Sequence, residues 1–402
     1  MNLLHLVSEQ TMQNLLPLLA LRPRLVIQVR SSDPRFKAAA DHLKLAVQTL
    51  RRTSAYSNLQ PEFVDWVIDE TSPDVDRSRR KVGEALALWP GSVVNLTGGT
   101  KQMSIGAFLA ADYQQEPVLY CDTQLRRFAS LNQKRALPDL PGFDIIAATL
   151  TVESVLAAHG IRPDHLQSRQ PSTEELEAAR QLGELRRQDS AAMANYARRL
   201  REQLLPQGRK IRREAIDRTL QAGLPGPNTE TDHRFLQAAV RAGWATEKDG
   251  VWTYRLRGNT LRPEDRLRAA LELNQALVGG WFELEVYDRM KASGRFVDLR
   301  TEVQARDRSH QSLGETDVVG IDRQWLTLVF VSCKLSDEFL DKPLEHVFAT
   351  RHRSLEFGGA FAQTLFCINE SRDPNKRRIV QDACRATRAQ LLEGEPDFTK
   401  AK

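Results

Sequence analysis

The first third of the chain alternates short apolar runs with longer segments of helical spacing. Asn2–Val7 (NLLHLV), Arg24–Val29 (RLVIQV), Ser92–Leu96 (SVVNL) and Pro117–Cys121 (PVLYC) are mostly apolar along their length. That is the signature of strands covered on both faces. Between them, Phe36–Leu50 and Ser78–Trp89 repeat apolar residues at the spacing of a helix face. Strands alternating with helices in this order predict a parallel sheet in an α/β domain, here ending near residue 145.

From about Thr151 to Asp265 the pattern changes. Ser172 and Glu175 form a capping-box pair before a polar helix, and arginine-rich helical segments follow. Phe235–Leu256 is read as a helix and then a hairpin turning at Lys248-Asp249-Gly250. Two readings stay open for this stretch: a winged-helix-like module that contacts nucleic acid, or a helical spacer with solvated basic faces. The last third opens with a helix over about Pro263–Met290, interrupted at Gly279-Gly280. The strands Glu315–Ile321 and Trp325–Lys334, an amphipathic helix and the strand Gln363–Asn369 complete a second α/β arrangement. The expected organisation is therefore α/β, with domains over 1–145 and 266–402 and a helical middle over 146–265.

Composition narrows the class. A chain of 402 residues suits two or three cores, and 41% hydrophobic with 27% charged residues excludes wholesale disorder. The net charge of +5 permits a polyanionic partner without requiring one. Cys121, Cys333, Cys367 and Cys384 show no CxxC spacing, so reduced thiols in a cytoplasmic protein are expected rather than a disulfide frame or zinc site. No leader pattern or membrane-length apolar run is present, and no membrane partner is expected. HExxH and GxSxG are missing too.

Two loops carry the first candidate chemistry. In Asn95–Ser104 (NLTGGTKQMS) a strand ends, Thr97-Gly98-Gly99-Thr100 turns, and a helix starts near Lys101. Glycines allow close backbone approach, and exposed amides at a helix start with nearby hydroxyls and a lysine make an anion site. The GxxxxGK[ST] spacing of a P-loop is absent, and a plain strand-to-helix turn remains the other reading. The loop Val7–Thr11 (VSEQT) opens at the same carboxyl edge of the predicted sheet, where α/β proteins bind ligands. Together the two suit a small anionic ligand such as a nucleotide.

With LVSEQT, NLTGGTKQMS and the later GGWFELEVY in this order, the chain resembles the CRISPR-associated CARF–nuclease fusions, effectors activated by cyclic oligoadenylate. The resemblance spans roughly 1–125 and 279–370. It implies a Rossmann-like CARF domain that dimerises and binds cyclic tetra-adenylate across the dimer axis. On that reading Ser8, Glu9, Gln10 and Thr11 contact the ligand from one loop, and Thr97, Gly98, Gly99, Thr100, Lys101 and Met103 from the other. The homodimer would then act as an allosteric nuclease on single-stranded DNA or RNA.

Metal-dependent phosphodiester cleavage needs carboxylates around Mg²⁺ or Mn²⁺ and a cation near the reacting phosphate. Glu283 on a helix, Asp317 on one strand and Lys334 at the end of the next resemble, in this order, the PD-(D/E)xK restriction-endonuclease-like fold. That pattern expects an acid two residues before the lysine, where this chain has Ser332. Strand parity puts Ser332 and Lys334 on one face, and Glu315 and Asp317 likewise. A tight turn at Arg323-Gln324 would set Glu315 opposite Ser332, so that Glu315 could stand in for the missing acid. Glu345, on the following helix, is a second substitute. The competing expectation is a sensor whose nuclease domain is degenerate, at most degrading its own ligand slowly. The basic runs at Arg351–Arg353 and Asn375–Arg378 fit either a nucleic-acid backbone or solvated helix faces.

Overall fold

A computed structural model describes residues 1–132, 135–204, 223–255, 276–306, 312–336, 342–370 and 373–398. Among these, the first sheet has the order β3-β2-β1-β4-β5-β6. Its strands are β1 (Asn2–Leu6), β2 (Leu25–Ser31), β3 (Glu62–Ile68), β4 (Ser92–Asn95), β5 (Val118–Asp122) and β6 (Arg127–Ser130). All pair in parallel except the antiparallel β6. β1 pairs with β2 on one side and β4 on the other, so the strand order reverses at β1. The crevice at its carboxyl end is the expected ligand position in such a sheet.

The helices follow from capping and periodicity. α1 (Met12–Leu21) leaves the loop after β1 and is buried over most of its length. α2 (Pro34–Leu50) starts behind the Asp33 cap, and α3 (Val75–Leu88) behind Asp74. α4 (Lys101–Tyr113) begins at Thr100, whose Oγ1 accepts the Met103 amide at 3.2 Å. Alternate residues of the strands feed two cores. Leu4, Leu6, Ile27, Val29 and Val94 pack with α3 and α4, while Leu3, Val26 and Val93 pack with α1 and α2. Between Leu3 and Val7 lies a polar row in register across four strands: Asp65, Gln28, His5 and Asn95.

A second sheet has the order β14-β13-β12-β11-β10-β7. It comprises β7 (Leu166–Arg169), β10 (Phe296–Arg306), β11 (Ser312–Asp322), β12 (Leu328–Ser336), β13 (Gln363–Glu370) and β14 (Gln390–Glu393). β8 (Ala245–Lys248) and β9 (Val251–Tyr254) form the hairpin anticipated after the helix Glu230–Arg241. Asp249 and Gly250 both have positive φ, as a two-residue hairpin turn requires.

The chain forms two compact units. One comprises Met1–Ser168, Gly294–Phe330 and Ala349–Thr364; the other Arg169–Ser293, Val331–Phe348 and Leu365–Lys402. In the second, the expected capping box of α7 (Thr173–Gln188) is present: Ser172 Oγ accepts the Glu175 amide and Glu175 accepts the Ser172 amide. Its buried anchor is Glu285 on the helix Trp281–Ala292, which accepts hydrogen bonds from Arg187 and Arg289 at 2.9 Å each. The start of the expected helix over Pro263–Met290 lies outside the described residues; its end is that helix, preceded by a π turn at Ala276–Gly280.

Candidate functional site

In the first unit the two predicted loops meet at the carboxyl edge of β1 and β4. A β-carbon on Gly98 would lie 2.2 Å from the Leu6 carbonyl oxygen and 3.1 Å from the Ser8 β-carbon. Gly99 has φ +76°, and a β-carbon there would lie 2.9 Å from that of Leu6. Only a chain without side chains at both positions can lie this close to the strand below it.

A buried amide braces the pair. Asn95 donates through Nδ2 to the Gln13 carbonyl at 3.1 Å and accepts from the Thr97 amide at 3.1 Å and the Thr97 hydroxyl at 2.6 Å. Thr97 Oγ1 in turn accepts the Cys121 amide at 2.7 Å, so this hydroxyl is committed to the scaffold. Ser104 Oγ holds the far side of the turn through the Gly98 and Thr100 carbonyls, both at 3.1 Å.

The predicted ligand contacts divide by exposure. Glu9, Gln10 and Lys101 are exposed, while Ser8, Gly99 and Thr100 are partly so. Met103 is 1% exposed and its side chain belongs to the core, so from the loop it offers only backbone. Thr11 is also buried, and its hydroxyl has no partner among the described residues. Ser8 Oγ accepts the Gln10 amide at 3.2 Å, and Gln10 accepts from Gln13 at 2.7 Å, which orders the exposed tip. Glu9 lies 3.8 Å from Arg35, an exposed pair that offsets its charge beside the anion-friendly α4 start.

The acidic residues of the second candidate centre are placed as follows. In the first unit, β10 and β11 pair with Gln304 opposite Glu315, Val303 opposite Thr316 and Thr301 opposite Val318. This register brings Glu302 across from Asp317. β10 was not anticipated from the sequence, and neither was Glu302. Glu302 holds a left-handed backbone (φ 54°) in mid-strand, a strain of about 1–3 kcal/mol of the kind found at functional positions. Glu315 accepts from Gln304 Nε2 at 2.7 Å. Burial pushes its carboxyl above the usual range; the charges of Asp317 and Glu302 add to the rise, while the Gln304 bond and Arg353 oppose it.

The expected turn at Arg323-Gln324 is corrected by the structure. Asp322 N–H donates to the Thr327 carbonyl at 3.0 Å and Leu326 N–H to the Asp322 carbonyl at 2.8 Å, closing a four-residue loop over 323–326. Buried Asp322 imposes this loop by accepting the Gln324 and Trp325 amides and Arg295 Nε. The hairpin therefore starts two positions away from the pairing that set Glu315 opposite Ser332.

In the second unit, Glu283 is half-buried in the first turn of the helix Trp281–Ala292. Ser332 is 5% exposed on β12, and Lys334 is half-buried on the same strand. Glu345 is exposed and engaged at 2.9 Å with Lys342, the residue just before its helix. No group of three or more His, Cys, Asp or Glu side chains is assembled for a metal among the described residues. Glu302 and Asp317 lie near enough for their charges to raise the Glu315 pKa, but the three carboxylates are not drawn together into a ligand set here. Among the described residues no helix is long and apolar enough to cross a membrane.

Comparison with known proteins gives three points of reference. Residues 3–143 match the family model of the Card1 CARF domain. No curated protein sequence matches the chain. Among solved structures, the chain is similar to Can2 from Sulfobacillus thermosulfidooxidans in complex with cyclic tetra-adenylate, at 18% identity and TM-score 0.64, over 98% of this chain and 95% of that one. It is similar to protein VC1899 from Vibrio cholerae at 14% identity and TM-score 0.69, over 99% and 95%. A type III CRISPR defence DNA nuclease activated by cyclic oligoadenylate matches at 19% identity and TM-score 0.52, over 93% of this chain but 46% of that one. At these identities the likeness is one of fold.

Proposed function

We propose that this chain, whose residues 3–143 match the Card1 CARF domain model, senses a cyclic oligoadenylate in type III CRISPR defence and, when bound, cuts single-stranded DNA or RNA. The observation that carries the sensing half is the closed pair of loops, Ser8–Thr11 and Thr97–Lys101, at the strand-order reversal beside β1. Lys101 and the first amides of α4 ahead of the capped Met103 amide suit phosphates, whereas Glu9 and Gln10 suit ribose hydroxyls and adenine amines. Cyclic tetra-adenylate is the ligand bound by the similarly folded Can2.

The ring is two-fold symmetric, and a homodimer would read both halves with one patch used twice. The stripe Ile105, Leu109 and Tyr113 supports that arrangement. These residues lie four apart on α4, beside the ligand loop, and are 53%, 44% and 88% exposed. An apolar stripe so exposed on a helix suits a second copy.

For the nuclease half, the reading rests on the order Glu283, Asp317, Lys334 along the chain, in which the acids, with Glu315 added, would be the Mg²⁺ or Mn²⁺ ligands and Lys334 the cation for the phosphate. A bound ion would polarise the phosphate and lower the pKa of an attacking water. Ser332 favours a second reading, a sensor with a crippled nuclease domain, because a buried neutral hydroxyl stands where the pattern has an acid.

One experiment separates the readings. The full chain is titrated with cyclic tetra-adenylate, then incubated with Mn²⁺ or Mg²⁺ and labelled single-stranded DNA and RNA, with and without the ligand. Ligand-dependent cleavage supports the proposal. Binding without cleavage leaves the sensor, and failure to bind any cyclic oligoadenylate removes both.

A further inference from the structure

Arg353 in the helix Pro343–Gly358 is a half-buried guanidinium whose hydrogen bonding is incomplete. Its one hydrogen bond among the described residues is long, from Nη2 to Thr350 Oγ1 at 3.5 Å, and Nε is buried with no partner. Leaving a buried donor unpaired costs about 1–3 kcal/mol. A surface arginine that only solvates a helix would not bear that cost.

The direction in which it points is set by the packing. Phe357, one helical turn further on, is buried in the same core as Val319 and Ile321 of β11. Alternation along β11 puts Asp317 and Glu315 on the face of Val319 and Ile321, and Arg353 on the helix face of Phe357. At Gly314, a β-carbon would lie 2.9 Å from Arg353 Nη1, so a bare backbone with φ +99° makes room for the guanidinium. Burial pulls the Arg353 pKa down, and Asp317 and Glu315 pull it up through space. Among the described residues Arg353 forms no ion pair with either. A guanidinium held near carboxylates but not paired to them keeps its fork available to an anion.

We propose that Arg353 holds a phosphate of the nucleic-acid strand beside Asp317, as the guanidinium clamp of the nuclease site. This rests on the nuclease reading above. The planar fork suits two phosphate oxygens, and Asp317 and Glu315 beside it are the carboxylates that would hold a divalent cation if one binds.

The test uses the full chain with cyclic tetra-adenylate and a labelled single strand, comparing wild type, Arg353→Gln and Arg353→Lys. Cleavage is followed in Mn²⁺, and strand binding in Ca²⁺ over a range of salt concentrations. Arg353→Gln is expected to lower kcat about 100-fold and to reduce the slope of log affinity against log salt by about 0.7, the value for one contact to a single strand. Its ligand affinity and its Mn²⁺ midpoint stay within about threefold, taking RT as about 0.59 kcal/mol for that bound. A merely structural arginine would not move the salt slope. Arg353→Lys keeps the slope but loses the fork, with kcat down about tenfold; it carries the decision if Arg353→Gln does not fold. An unchanged rate or slope in Arg353→Gln, or full activity in Arg353→Lys, overturns the proposal. If wild type neither binds nor cuts any strand, the nuclease reading itself has failed and this assignment falls with it.

Discussion

Gly98 lies against Leu6 so closely that a β-carbon on the glycine would stand 2.2 Å from the Leu6 carbonyl oxygen. That oxygen already accepts Asn14 Nδ2 at 3.0 Å, so it is pinned from the α1 side. Gly98→Ala must therefore push the Thr97–Lys101 loop away from the Ser8 loop. We expect the affinity for cyclic tetra-adenylate to fall at least tenfold, about 1.4 kcal/mol, while α4 stays helical. Calorimetric titration of the variant checks this; unchanged affinity would mean that the two loops do not act as one site.

The α4 stripe makes a separate prediction about assembly. A charge at Leu109, in the middle of Ile105, Leu109 and Tyr113, would be desolvated if a second copy covered it. Leu109→Asp is expected to be monomeric by light scattering at concentrations where wild type is a dimer. Its thermal midpoint should change little, because Leu109 is 44% exposed in the single chain. A wild-type monomer, with or without ligand, would contradict the symmetric-ring reading.

Ser332 gives the sharpest test of the missing acid. If the nuclease lacks only this ligand, Ser332→Glu should raise Mn²⁺-dependent cleavage up to about 100-fold, equivalent to about 2.7 kcal/mol of barrier. Because Ser332 is 5% exposed, the new carboxylate is also buried, so the variant should melt lower without metal and recover with it. Asp317→Asn in the same background should abolish the gain. Cleavage that ignores both changes would place the chemistry elsewhere.

How much of this was legible in the sequence depended on whether a residue's role was local. β1, β2 and β4 showed because both faces are buried, β5 because its run is apolar although Tyr120 is exposed, and Thr97-Gly98-Gly99-Thr100 because its paired glycines mark a turn. β10 did not show: Asp298, Arg300 and Glu302 make FVDLRTEVQAR look like a solvated segment. In the fold Asp298 and Arg300 are satisfied at long range, Asp298 by the Val152 amide at 2.8 Å and Arg300 by Glu153 at 2.8 Å. The hairpin turn was misplaced for a similar reason. Arg323-Gln324 looks like a two-residue turn, but buried Asp322 with Arg295 builds a longer one. Arg353 could not be singled out within RHR, since its surroundings come from strands more than thirty residues earlier.

In the second unit, the buried acid of the helix Trp281–Ala292 is Glu285. It is 5% exposed and receives both Arg187 and Arg289. A β-carbon on Gly183 of α7 would lie 2.6 Å from its carboxyl group. Glu285→Ala should cost about 2–3 kcal/mol, below the range for fully buried pairs because both arginines keep some access to water. Gly183→Ala should destabilise wild type but cost much less in the Glu285→Ala background, a coupling that urea unfolding of the four proteins would measure. Additive effects would show that α7 does not rest on this carboxylate.

The polar row across the first sheet predicts acid sensitivity. His5 is wholly buried between Gln28 and Asn95, both ring nitrogens lack partners among the described residues, and burial lowers its pKa to about 3. His159 is lowered to about 4, by burial and then by His42. A histidine held neutral in the fold binds its proton only on unfolding. Below about pH 6.5 the unfolded chain therefore takes up protons that the folded chain refuses, and stability falls as pH falls. Each group contributes about 1.4 kcal/mol per pH unit, from 6.5 down to about 4 for His159 and about 3 for His5. Urea midpoints should thus drop between pH 7 and pH 5, well before most carboxylates protonate. His5→Leu should remove one proton's share of that slope and be more stable than wild type at pH 5. An identical slope in the variant would mean that His5 is hydrated and already exchanging its proton in the folded state.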